Sequence, residues 1–379
     1  MIDLRVAHLI SSLHVSAAAS GAINLLRWLK RNQHEVIVMT TGGEREADIA
    51  ELDIPIIKYE KGGPGWWLKG RRRLLSALKE WHPDLIHVHR LESVRLARDL
   101  ANRLDIPFVS SVHQPVEAKA AEPLADPALV LVPSEAQRAH YAGRIGLARD
   151  RVAVLPYGLD VDRFRAEPGE GPVTTIGSVG HFTEDIAGFR QLVTAVIALR
   201  EAGHEVKALL VGSGDRSELD QLVKPLGEHA RIESSVAQTG ALLAQMDVFV
   251  YPVESDTHSL SLLKAMASSC AVVASAVGGV PEMIRDGIDG VLVPPANHEA
   301  LLGALTRLVE QPDVTHELAR EARAYAEQHH LLDHVGEVAH ELYRMALTGN
   351  TQGTGSTTAV TAWRRFSTRV DEGPHEEAG

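Results

Sequence analysis

The chain has 379 residues, 45% of them hydrophobic and 23% charged, with a formal net charge of −12 and one cysteine, Cys270. Its length exceeds what one compact core usually holds, so two domains are expected. The acidic balance argues against generic nucleic-acid binding, and a lone cysteine excludes an intramolecular disulfide. No apolar run approaches the roughly 18 residues of a membrane span. The N-terminus lacks a signal-peptide pattern, so a cytoplasmic protein is the expectation.

In chain order, residues 4–10 (LRVAHLI) read as a first strand and 11–20 as a loop of small and polar residues. A helical apolar stripe follows at 22–32, then strands at 36–39 and 54–58. The next stretch, KGGPGWWLKGRRRLLSALKEW, sets Trp66 and Trp67 beside Arg71, Arg72 and Arg73. It reads as a membrane-surface patch, or else as a core helix with Leu74, Leu75, Leu78 and Trp81 inward and the arginines in water. Residues 84–89 read as a strand, 93–104 as a helix and 107–112 as another strand. His87 and His89 share a strand face. Two histidines alone are a weak metal signal and no third ligand pairs with them, so they read as polar strand-end residues and no metal site is assigned. His113 follows the strand at 107–112, at the carboxyl edge where open α/β sheets bind ligands. A strand at 129–132, a helix at 136–144 and a strand at 152–155 complete an N-terminal α/β domain over 1–165. Residues 165–172, rich in Pro, Gly and Glu, read as a linker.

The second domain, 173–330, opens with a strand at 174–180 running into a glycine turn at Gly180. A strand at 206–211 leads into Gly212 and Gly214. Short helices are expected at 218–224 and 242–246. The stretch 248–295 then reads strand, polar loop, buried helix at 260–267, strand at 271–275, the Gly278-Gly279 turn, short helix and strand. Its two βα turns present helix N-termini on one sheet edge, where unpaired N–H groups and positive dipole suit phosphate or carboxylate. The plainer alternative is two ordinary βα turns. Helices at 298–310, 316–328 and 333–347 follow. A helix at 331–348 is expected to return to the first domain, and 349–379 to form a flexible tail. Within the tail, 359–370 carries Trp363 and Phe366 among arginines; it reads as a docking segment for a protein partner or a membrane, or as simple disorder.

The stretch 248–295 resembles the donor-binding core of family 4 glycosyltransferases, retaining enzymes of the GT-B fold. The resemblance rests on Tyr251-Pro252, the helix ending Ala265-Met266-Ala267, the strand VVAS, then GGVPE and RDG-x-x-G-V-L-V-P-P. It implies an α/β protein of two facing Rossmann-like domains, an interdomain cleft and a C-terminal helix crossing back. It further implies sugar transfer from a nucleotide sugar, bound as substrate with no cofactor, to an acceptor in envelope or exopolysaccharide assembly. By that resemblance His113 and Asp256 face the sugar as catalytic residues. Backbone N–H groups around His258, Ser259 and Leu260 hold phosphate. Gly180, His181, Gly212, Gly214, Lys264, Gly278 and Gly279 complete the donor-binding set.

The chain departs from that pattern at several places. Asp256 and Lys264 stand where the family has two glutamates. His181 and Ala187 stand where it has the diphosphate-clamping Arg and Lys. Tyr157 replaces an Asn, and a Gly-Gly pair of the first loop falls near Ser16 and Ala17, with Gly21 the nearest glycine. An ammonium cannot accept hydrogen bonds from a ribose, although Lys264 reaches back one helical turn toward phosphates. Two readings follow: a rearranged donor clamp, or a catalytically impaired relative acting as a binding, scaffold or regulatory partner.

Overall fold

The computed structural model describes residues 3–349 apart from 15, 61–65, 165, 166, 168, 170, 235–238 and 255–257, and the side chains of 66–69 also lie outside the description. The chain forms two compact units. One holds the residues through Gly158 with the last helix, Leu332–Thr348; the other is Leu159–Leu331.

The first unit is built on β1 (Arg5–Leu9), β2 (Glu35–Thr40), β3 (Ile56–Lys58), β4 (Leu85–Val88), β5 (Phe108–Ser111), β6 (Leu129–Val132) and β7 (Val152–Val154). They lie in the order β3-β2-β1-β4-β5-β6-β7, every pair parallel. Alternate residues feed two separate cores. Val6, Val36, Val38, Leu85, Val109 and Leu129 pack in one; Ala7, Ile37, Met39, Ile86, Val88 and Val130 pack in the other. Both faces are therefore dry, which is why these strands read as near-continuous apolar runs rather than alternating ones.

The second unit contains β8 (Thr175–His181), β9 (Lys207–Ser213), β10 (Ala230–Glu233), β11 (Val248–Tyr251), β12 (Ala271–Ser275) and β13 (Val291–Val293). The sheet is again parallel, in the order β10-β9-β8-β11-β12-β13. β10 was not foreseen. It is a half-buried edge strand carrying Arg231 and Glu233, which pair at 2.6 Å; charge on an edge strand discourages further pairing but hides the apolar pattern.

Two boundaries differ from expectation. The first helix spans Ala17–Arg31 rather than beginning at residue 22, because Ser16 caps it by accepting from Ala19 N, and three alanines propagate it. The first unit ends at Gly158 rather than residue 165. Leu159 N donates to His330 O and Leu159 bridges Leu331, which ties 159–164 to the second unit. Within that unit Arg323 donates to Phe164 O and to Ala267 O, the latter at the C-terminal end of the helix Leu260–Ala267, where a guanidinium suits the dipole. The expected tail segment 359–370 lies outside the described residues. Cys270 is fully buried and donates to Leu243 O, and burial pushes its thiol pKa well up.

Leu332–Thr348 packs on Ala17–Arg31, with Gly336 over the ring of the fully buried Trp28. The first sheet also holds three buried imidazoles, His8, His87 and His89. His8 Nδ1 pairs with His89 Nε2 at 2.9 Å, while His87 bonds Tyr343 Oη at 2.8 Å and Ser111 Oγ at 2.7 Å. Burial lowers the pKa of all three, that of His8 to about 3, so they are neutral.

Two stability predictions follow from this packing. Gly303→Ala, on the exposed face of the helix His298–Glu310 with open space around a Cβ, should stabilise by about 1 kcal/mol. Gly336→Ala should destabilise by about 1–3 kcal/mol, since the new methyl overlaps the Trp28 ring; denaturant melts of the two variants should move in opposite directions. The buried imidazoles make stability pH-dependent. Unfolded histidines titrate near 6.5 and the folded ones lower, so the unfolded chain binds protons first as the pH falls. Their contribution is full above about pH 6.5 and is lost as the pH falls from there toward the folded values, by up to about 2 kcal/mol per fully buried imidazole at pH 5. Denaturation midpoints that are the same at pH 7.5 and pH 5 would contradict this.

Candidate functional site

In the second unit, β8 is the point from which the sheet grows in both directions: β9 lies on one side and β11 on the other. Such a switch point opens the carboxyl edge of a parallel sheet. The sequence-predicted donor set falls along that edge. Gly180 and His181 end β8, Gly212 and Ser213 end β9 with Gly214 just beyond, His258 and Ser259 follow β11, and Gly278 and Gly279 follow β12.

Gly180 pairs in register with Gly212, and His181 with Ser213. A Cβ on Gly212 would overlap Gly180 O, and Gly214, at φ +98°, lies where a Cβ would come 2.6 Å from the His181 ring. These glycines therefore serve the close packing of two strand ends. The same turn is closed by a carboxylate: Asp185 Oδ2 accepts from His181 N at 2.6 Å, and His181 Nδ1 accepts from Glu184 N at 3.3 Å. Arg190, the nearest cation in sequence, lies on the helix Ile186–Glu201 and bonds Glu218 Oε1 at 2.6 Å on the exposed surface. The β8 turn thus offers a carboxylate and an imidazole where the resemblance leads one to expect two cations.

The β11 turn is built differently. Asp256 lies outside the described residues. His258 is buried and packs edge-on to His330, centroids 5.4 Å apart; burial, then the neighbouring His330, lowers its pKa well below the usual value. Ser259 is extended and its Oγ accepts from Leu262 N at 3.1 Å, the capping arrangement that starts the helix Leu260–Ala267. Leu260 is buried, and Lys264, half-buried, follows one turn later. Gly278 takes φ +53°, and Gly279 leads into the short turn Val280–Glu282. Neighbouring strands thus end in a capped helix start and a glycine turn on one edge.

In the first unit, His113 follows β5 and Tyr157 follows β7. Their ring planes are nearly parallel, 8° apart, and His113 Nδ1 lies 2.8 Å from Tyr157 Oη. Burial, then the charge of Arg90, lowers the His113 pKa to about 4, so the imidazole is neutral at physiological pH. The two rings line a small recess together with Gly21, His87, His89 and Ser111. The sequence reading found no third partner for His87 and His89. The register of β1 on β4 supplies one, since His8 faces His87. Ring nitrogens of the three lie within 4.8 Å of one another, a spacing open to metal ligation. His87 already bonds through both nitrogens and His8 already pairs with His89, so the trio is a hydrogen-bonded core network that braces Ser111 and Tyr343.

Of the membrane-surface residues, Arg72 and Arg73 are exposed, while Arg71 is half-buried and paired with Asp99 at 3.4 Å. Leu74 and Leu78 are fully buried, so the helix Trp66–Trp81 has a core face. The side chains of Trp66 and Trp67 lie outside the description.

Comparisons with known proteins agree with both units. A family described as "Glycosyltransferase Family 4" matches residues 18–163, and one described as "Glycosyl transferases group 1" matches 173–311. Phosphatidyl-myo-inositol mannosyltransferase of Mycobacterium leprae is 31% identical over 162 residues, 41% of this chain and 43% of its own length. D-inositol 3-phosphate glycosyltransferase of Actinosynnema mirum is 26% identical over 65% of this chain and 68% of its own length. GDP-mannose-dependent alpha-mannosyltransferase of Mycobacterium tuberculosis is 26% identical over 86% and 91%. Among solved structures, a glycosyltransferase from Rickettsia africae gives a TM-score of 0.80 at 17% identity over 91% of this chain and 99% of that one. Anabaena Alr3699/HepE in complex with UDP-glucose gives 0.79 at 18% identity over 90% and 99%. With its two parallel α/β units matched in order by glycosyltransferase families and its fold matched by solved glycosyltransferases, the chain belongs to the family 4-like glycosyltransferases of the GT-B fold.

Proposed function

We propose that this chain transfers a hexosyl group, with retention, from a nucleotide-sugar donor to a hydroxyl acceptor. The observation that carries the reading is the carboxyl edge of β8, β11 and β12, where a Ser259-capped helix start and the Gly278-Gly279 turn stand at a topological switch point. Relatives named for a GDP-mannose-dependent mannosyltransferase and for a UDP-glucose complex support the donor class.

In this reading the donor diphosphate lies against the Leu260 helix start. Lys264, one turn in, supplies the cation that His181 and Ala187 do not. Charge on the leaving diphosphate is met by that ammonium and by helix-end dipoles, with no cofactor beyond the donor assigned. Each preorganised group facing developing charge contributes about 3 kcal/mol, or roughly 10²–10³ in rate, so the altered β8 turn shifts the burden onto Lys264. His113, neutral, donates or accepts a hydrogen bond at the sugar, and Asp256 is assigned the catalytic role that its position has in the resembled family. The carboxylate of Asp185 at the β8 turn is the observation that favours the second reading, an impaired relative with a binding or scaffold role.

A cytoplasmic location is part of this proposal. No helix among the described residues is long and apolar enough to cross a membrane. Contact with an anionic membrane surface is assigned to the exposed Arg72 and Arg73 on the helix Trp66–Trp81.

Calorimetry with a panel of nucleotides and nucleotide sugars tests the main reading. Micromolar binding by at least one is expected, weakened roughly 10–100-fold in Lys264→Ala, the loss of one charge-assisted contact of about 1.5–3 kcal/mol. No binding by any nucleotide would transfer the argument to the scaffold role. For the membrane contact, Arg72→Ala with Arg73→Ala should weaken binding to phosphatidylserine vesicles by roughly 30-fold at about 1 kcal/mol per arginine. Unchanged cosedimentation would remove that surface from the account.

A further inference from the structure

Tyr157 stands where the resembled family has an asparagine, and three independent features of the first unit converge on its ring. The first is the 2.8 Å contact between Tyr157 Oη and His113 Nδ1, with the two ring planes nearly parallel. The second is Gly21, inside the helix Ala17–Arg31. A Cβ there would lie 2.6 Å from Tyr157 Cε1 and 2.7 Å from Cδ1. Glycine in a helix interior costs about 1 kcal/mol relative to alanine, and here it makes room for the phenol ring. The third is the backbone that carries the tyrosine. Gly158 O accepts from Asn24 Nδ2 at 2.8 Å, and a Cβ on Gly158 would come 3.0 Å from Val335 Cβ and 3.2 Å from Leu332 Cα. The turn after β7 is therefore gripped by the first and last helices of the unit, and the ring it carries has little freedom.

We propose that Tyr157 is a positioning residue for His113: its phenol O–H donates to Nδ1, which fixes the imidazole in the tautomer with its proton on Nε2 and turns it into an N–H donor for a sugar hydroxyl. A phenol is the better acid of the pair and a neutral imidazole nitrogen the better base, so donation runs from oxygen to nitrogen. The neutrality that this requires is consistent with the half-buried setting of His113 and the nearby charge of Arg90. The role rests on the transferase reading for its catalytic meaning, and on geometry alone for the tautomer. It also links two features of this sequence. The glycine of the first helix and the Tyr in place of Asn meet at Gly21, where the helix yields space to the phenol ring.

Two measurements on the full chain test this. In long-range ¹H–¹⁵N spectra of histidine-labelled protein at neutral pH, with His113 assigned from the His113→Gln variant, the wild type should show Nδ1 unprotonated and Nε2 protonated. Tyr157→Phe keeps the ring on Gly21 but removes the donor, and should give a mixture of tautomers. In sugar transfer, Tyr157→Phe should lower kcat by about 10–100-fold with KM for the donor unchanged. Gly21→Ala, which displaces the ring without weakening the helix, should do the same. A wild-type His113 with its proton on Nδ1, a Tyr157→Phe spectrum identical to the wild type, or an unchanged kcat would each overturn the proposal. Should the wild type transfer no sugar from any donor, the tautomer measurement alone decides the hold on His113, and the transferase reading fails by itself.

Discussion

A parallel sheet that is dry on both faces leaves its polar chemistry one outlet, the carboxyl edge. Every residue pointing up or down from such a strand is committed to a core, as Val6 and Ala7 show by entering opposite cores from adjacent positions. What remains for binding is the short stretch after each strand, where the chain turns into a helix. Both units obey this constraint. In the first, His89, His113 and Tyr157 come after β4, β5 and β7; in the second, His181, Gly212, Ser259 and Gly278 come at or after the ends of β8, β9, β11 and β12. The sheet order then decides which of those turns are neighbours.

The same constraint explains what was legible in the sequence. Continuous apolar runs at 129–132, 248–251 and 271–275 coincide with strands because burial on both faces removes alternation. The helices Leu260–Ala267 and His298–Glu310 were also fixed by their patterns, each with a Ser or Asn cap at the start. β10 escaped because an edge strand carrying Arg231 and Glu233 has no apolar signature. The start of the first helix escaped because Ser16 followed by alanines looks like loop composition, although the same residues form a cap and a strong propagating turn.

The candidate sites were legible only in part, for a related reason. A sequence shows which residues follow which strand, and so it placed His113 and the Gly180, Gly212 and Gly278 turns. It does not show register. His8 faces His87 only because β1 lies against β4 with residue 8 beside residue 87, far apart in the chain. Tyr157 reaches His113 across the width of β6, and nothing local to either residue announces it. Gly21 was a clue in hindsight: a glycine inside a helix stripe marks a place where something else must fit. Nor does the sequence show the role of Asp185. In the fold it is the group that closes the β8 turn by holding the backbone N–H of His181.

Cys270 carries a practical consequence. It is the chain's sole thiol, it is sealed in the core of the second unit, and its thiolate is disfavoured by burial. Maleimide and iodoacetamide reagents, which attack the thiolate, therefore find no partner on the native surface. A cysteine introduced at any exposed position becomes the only reactive one, without first deleting the native residue. Spin labels or fluorophores can be attached singly or in pairs to this chain in its natural background, so the motion of either unit becomes measurable in solution.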